Sequence, residues 1–153
     1  MEDLIRLVIL HRAARIRDEL KVSSAISWHE ALIDLFEQQV QTARNDEIFM
    51  LVVDQAGPVA ADLLAEDNAV RTSLNQVIAP IIAKGRSKGE IREGLTDEQI
   101  LYWLHYQTWS LSRDPRLHNA QQIRDLARRF VVGGLVAPAS AGKRRTDCSD
   151  SAG

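Results

Sequence analysis

Apolar residues recur at spacings of three and four along most of this chain. Nowhere do valine, isoleucine or aromatic residues alternate with polar ones over a useful length. A helical period without a two-residue period leaves one fold class, all-α, here a single helical bundle of about six helices. The 153 residues fit one domain, and the 45% that are apolar are enough to build its core. A formal net charge of −2 supplies no field that would draw the chain to nucleic acid or to a membrane surface. The single cysteine, Cys148, excludes an internal disulfide framework and points to a reducing, cytoplasmic setting. No apolar run reaches the ~18 residues a membrane span needs. The stretch Leu4 to Leu10 is broken by Arg6 and lacks the basic start and small-residue cleavage site of a signal peptide.

The spacing predicts a first helix from Glu2 to about Leu20, with Ile5, Val8, Ile9 and Ile16 on one side and Arg12, Arg15 and Arg17 toward its C-terminal end. After the loop KVSSAIS, the run SWHE opens a second helix as a capping box, Ser27 with Glu30. A third helix, EIFMLVVDQA, is apolar almost all round and is expected to lie deep. Gly57-Pro58 ends it, and a short helical turn through Val59 to Ala65 follows. Asp67 or Asn68 then caps a long helix, about Ala69 to Lys84, which Pro80 should kink. Thr96, with Gln99 three residues on, opens a helix to about Leu111, and Asn119 caps a last helix to Val136. Residues 1–137 are the expected domain. Residues 138–153, small and polar, are an expected disordered tail.

Two glycines four apart, in GRSKGEIREGLTDEQILYWL, raise the question of a phosphate loop. Such a loop follows a buried strand and has the form GxxxxGK[ST], whereas here a helix precedes Gly85 and neither the spacing nor the hydroxyl fits. GKRRT in the tail lacks the same context. Gly85 is instead expected to end or fray the long helix, and Gly89 to turn the chain at positive φ, with Ile91 and Leu95 anchoring the turn.

The helix from Thr96 to Leu111 has two apolar faces. Ile100, Leu104 and Leu111 fall together with Trp103 and Gln107 beside them, and Tyr102, Tyr106 and Trp109 lie opposite. A helix on the rim of a small domain needs one such face, so the second implies deep burial, a ligand wall or a partner chain. In the last helix Ile123, Leu126, Ala127, Phe130 and Gly134 share a face, and Gly133-Gly134 would permit close helix approach. Two neighbouring C-terminal helices with apolar excess fit a homodimer seam, a four-helix bundle made by two copies, with Tyr102, Tyr106, Trp109, Ile123, Ala127, Phe130 and Gly134 in it.

Chemistry is sparse. His11, His29, His105 and His118 show no ligand spacing, so no metal is expected. There is no Gly-x-Ser-x-Gly elbow and no visible nucleophile–base set, so no catalytic residue is assigned, the chain is read as a non-enzyme and no cofactor is implied. Asp54 on the apolar third helix needs a partner: Gln55, Arg71 or a ligand. HRAARIR and GKRR carry no interleaved aromatics and read as solvated surface.

The segment IIAKGRSKGEIREGLTDEQILYWL resembles regulators of the tetracycline-repressor (TetR) type, in which a long helix ends in a G-x-x-x-G-E-I-R turn before an acidic, capped helix. IRDLARRFVVGGL is similar to their last helix, and EDLIRLVILH to the helix that follows their DNA-binding headpiece. The resemblance runs from about Glu2 to Val136. It implies a domain that senses a small effector and dimerises through its last two helices. It also implies a three-helix headpiece ahead of this point, which this chain does not contain, so DNA binding by this chain alone is not expected. Members of the family enclose small, often apolar effectors between the central helices. On the matching helices the expected pocket residues are Trp28, Phe36, Phe49, Met50, Val53, Asp54 and Trp103, for an apolar or aromatic effector. Two other readings stand beside this one: a small all-α enzyme, and a headless dimerisation partner of other regulators.

Overall fold

Capping side chains set most of the helix starts. In the structure, a computed structural model that describes residues 2–19, 26–56 and 68–138, the helices are α1 (Glu2–Glu19), α2 (Trp28–Asn45), α3 (Glu47–Ala56), α4 (Asn68–Ser87), α5 (Asp97–Ser112) and α6 (Ala120–Leu126). The last continues through a π-helical segment, Ala127–Val132, into a closing turn, Gly133–Leu135. Thr96 and Gln99 form a reciprocal capping box on α5, and Asn119 and Gln122 form one on α6. On α2 only half of the expected box exists. Ser27 Oγ accepts from the Glu30 backbone N–H at 3.2 Å, while the Glu30 carboxylate is drawn away to Arg124 and Arg128. Asp46 stops α2 and caps α3, accepting from the Phe49 N–H at 2.9 Å.

Helix α2 is the centre of the bundle. Trp28, Leu32, Leu35, Phe36 and Val40 lie almost fully buried along it, and Ala31 and Ile33 widen the buried stripe well beyond one face. Against it pack Ile78, Ile81 and Ile82 of α4, Ile100 and Leu104 of α5, and Ile123, Ala127, Val131, Val132 and Leu135 of the last helix. Helix α1 lies on α4 and α3, with Ile9 fully buried. The expected helical turn at Val59 to Ala65, the cap at Asp67 and the tail from residue 139 lie outside the described residues.

Two expectations about elements are corrected. Helix α4 does not end at Gly85 but runs through Pro80 and Gly85 to Ser87. Gly85 is there for space: a Cβ on it would lie 2.8 Å from Ile91 Cδ1 and 2.9 Å from Trp28 Cδ2 and Cε2. The turn itself belongs to Gly89, at φ 67°, as its position after the helix requires, and to Gly94 at φ 83°. Helix α3 does not lie deep, since Ile48 and Leu51 are more than half exposed and, among its described side chains, only Phe49 is buried. Among the described helices it packs mainly on α1 and α2, which leave Ile48 and Leu51 uncovered.

One feature has no sequence signal. Residues 90–92 pair with residues 135–137 as a short antiparallel bridge, Ile91 opposite Val136. Arg92 N–H donates to the Leu135 carbonyl at 2.8 Å and Ala137 N–H to the Glu90 carbonyl at 2.9 Å. The end of the last helix is thereby tied to the α4–α5 turn. The Trp28 indole N–H donates to the Glu90 carboxylate in the same turn, so core, turn and C-terminal segment meet at one place.

Candidate functional site

The residues expected to line one pocket are distributed over three places. Trp28 and Phe36 are spent in the main core, sealed at 0% and 2% exposure. Trp103 sits on the outer face of α5, stacked on Tyr106 with ring centroids 6.1 Å apart. Phe49 and Met50 come together with Ala43 and Trp109 in a second, smaller apolar cluster between α2, α3 and α5. Asp54 is at the rim of that cluster and exposed. Among the described residues its partner is Arg113, at 2.6 Å, and not Gln55, while the side chain of Arg71 lies outside them. The Arg113 guanidinium in turn lies 5.2 Å from the centre of the Trp109 ring, over its face. The side chain of Val53 lies outside the described residues.

This second cluster is thin, since Phe49 and Ala43 are buried while Met50 and Trp109 are half-buried. Trp109 nevertheless turns its polar atom inward, where the indole N–H is sealed from solvent and has no hydrogen-bond acceptor among the described residues. On the same side of α5, one turn earlier, His105 meets Asn75 of α4 at 3.2 Å. Gln39 is buried on α2 with the Thr108 hydroxyl 3.3 Å from its amide oxygen.

The expected seam residues also divide. Tyr102, Trp103 and Tyr106 are 57%, 43% and 49% exposed, and Phe130 is 66% exposed. Gly134 is exposed as well, with nothing within 4 Å of where a Cβ would stand. Ile123 and Ala127 are not surface residues at all. They point into the copy's own core, at 2% and 0% exposure, because that stripe of the last helix is the one that packs on α2. Trp109 is held by the Phe49 cluster rather than presented outward.

Sequence reasoning missed the charged lattice that joins the last helix to α2. Arg124 reaches Asp34, Glu30 at 3.2 Å and Glu37 at 3.5 Å, and Arg128 reaches Glu30 at 3.4 Å. The hydrogen bond to Asp34 is the main reason the Arg124 pKa is raised, with the charges of Asp34, Glu30 and Glu37 adding to it. Each half was visible as a stripe, Glu30, Asp34 and Glu37 on one helix and Arg124 and Arg128 on another, but nothing local says that the stripes face each other. In the α5–α6 loop, Asp114 accepts from the Arg116 side chain and backbone, which holds its carboxyl down at about 2. The Arg44 guanidinium donates to the Leu117 carbonyl and fixes this loop to α2.

A polar cleft of about 470 Å³ lies elsewhere, between α1 and the α2–α3 junction, lined by Arg12, Arg15, Thr42, Asn45, Asp46, Glu47 and Ile48. An Arg12–Asp46 ion pair at 3.2 Å crosses it, and its charges are mixed in sign. Among the described residues no group of three or more His, Cys, Asp or Glu could hold a metal ion, and no helix is long and apolar enough to cross a membrane. No protein-family model matches the chain, and neither a curated protein nor a solved structure does.

Proposed function

We propose that this chain is the effector-binding and dimerisation module of a TetR-type transcriptional repressor, acting on DNA only through a headpiece in the full-length protein. The observation that carries the reading is the aromatic outer face of α5. Tyr102, Trp103 and Tyr106 stand about half exposed while the opposite face of the same helix fills the core. With Phe130 they amount to roughly 450 Å² of aromatic surface per copy, more than half of what one side of a standard interface buries. A second copy of the same chain is the occupant this reading assigns, through a four-helix seam built from α5 and the last helix. The order of long helix, glycine turn and acidic capped helix supports the same assignment.

The mechanism is linkage. An apolar or aromatic effector bound beside α3 and α5 would favour one arrangement of α4, and in a dimer α4 would alter the spacing of two attached headpieces. Sedimentation at micromolar concentration tests the seam. The wild-type chain is expected to be a dimer and Tyr106→Glu a monomer with unchanged helix content. A wild-type chain that sediments as a monomer overturns the proposal.

A further inference from the structure

The Trp109 indole N–H is the most conspicuous loose end in the molecule. A buried donor without an acceptor is costly, and native interiors keep few of them. Here the atom is shut off from solvent, and its residue packs against the small cluster of Ala43, Phe49 and Met50, separate from the main core. Helix α3 rests on that cluster, with Ile48 and Leu51 turned to solvent, so lifting it disturbs few buried groups. Met50 is unbranched and half-buried, a side chain that can move aside without leaving its rotamer wells. Asp54 of α3 is strapped to Arg113 at the end of α5, and the Arg113 guanidinium lies over the Trp109 ring.

We propose that this place, under α3, binds a neutral, flat, carbonyl-bearing molecule whose oxygen accepts the Trp109 indole hydrogen bond. The site names the ligand class of the effector reading above and rests on it. The apolar floor of Phe49, Met50 and Ala43 takes the ring system, and the N–H fixes its orientation. Neutrality follows from the ion pair beside Trp109. Arg113 already carries the Asp54 carboxylate at 2.6 Å, so an anionic ligand would have to displace one carboxylate with another and gain little. A pure hydrocarbon would leave the N–H unmet.

The test uses the ¹⁵N-labelled chain and three probes of one shape: acetophenone, benzoate and ethylbenzene. Three indole N–H signals are expected, from Trp28, Trp103 and Trp109, and Trp109→Phe identifies the third. Acetophenone should move the Trp109 indole signal downfield and leave that of Trp28 in place, because Trp28 is bonded to Glu90 in the main core. Trp109→Phe should weaken acetophenone binding about five- to tenfold. A stationary Trp109 signal at millimolar acetophenone, or benzoate or ethylbenzene binding as well as the ketone, overturns the site. The wild-type titration decides the matter even where the variant does not fold. Translational diffusion measured on the same sample separates the two claims: a monomer that binds acetophenone loses the regulator reading and keeps the site, and a dimer that ignores it loses the site alone.

Discussion

Replacing Gly85 by alanine sets two effects of opposite sign against each other. In an ordinary helix interior the change stabilises by about 1 kcal/mol, because alanine gives up less backbone freedom than glycine. At Gly85 the new methyl would lie 2.8 Å from Ile91 Cδ1 and 2.9 Å from two atoms of the Trp28 indole, at least half an ångström inside ordinary contact. Neither neighbour yields easily. Trp28 is fully buried with its N–H held by Glu90, and Ile91 is buried with its backbone paired to Val136. Relief therefore means moving α4 away from α2, and overpacking of this kind costs about 1–3 kcal/mol. The net expectation for Gly85→Ala is a loss of up to about 2 kcal/mol. Urea unfolding followed by far-ultraviolet circular dichroism reads it directly, as a lower midpoint at an unchanged slope. Gly134→Ala is the control, because it is helical, exposed and open on all sides, and is expected to be neutral or slightly stabilising. Shortening Ile91 to valine in the Gly85→Ala background should recover part of the loss. A Gly85→Ala chain about 1 kcal/mol more stable than wild type would refute the reasoning, since the propensity gain would then have met no resistance.

Ser73, inside α4, buries a hydroxyl without a partner among the described residues, so Ser73→Ala should raise the midpoint of thermal unfolding, by a stabilisation of about 0.5–1.5 kcal/mol. Arg124→Met removes the cation on which Glu30, Asp34 and Glu37 converge and leaves three carboxylates along one helix. It should cost about 1–2 kcal/mol, more at low salt than at high salt, in parallel urea titrations. The Asp114 carboxyl, held near 2 by Arg116, is ionised in the folded chain below its ordinary value of 3.8. Its contribution is fully present above pH 4 and is lost as pH falls through about 2, so Asp114→Asn should flatten the acid limb of a stability–pH curve in that window while leaving the neutral region little changed.

Local chemistry made most of the helices legible. Thr96 with Gln99, and Asn119 with Gln122, announce two helix starts because a capping box involves four residues in sequence and nothing distant. Gly89 announces a turn for the same reason. What failed depended on partners far along the chain. Gly85 looked like a helix end because its purpose, making room for Trp28, lies 57 positions away. Glu30 looked like a cap partner because the competing arginines sit on the last helix. The apolar character of α3 said that it wanted burial, not how little its neighbours would supply. The candidate pocket suffered most. Trp28, Phe36 and Phe49 share a composition with binding residues and with core, and only packing separates the two. The Trp109 N–H could not be known to lack an acceptor before its surroundings were assembled.

The pairing of Ile91 with Val136 fastens two points 45 residues apart, enclosing α5 and the last helix in a ring closed by backbone hydrogen bonds. Neither helix can be peeled off singly, so the two should exchange their amide protons as a unit, with a common opening rate. A fluorophore attached at Pro138 would therefore report on the Gly89 turn and, through Glu90, on the tryptophan at the centre of the core.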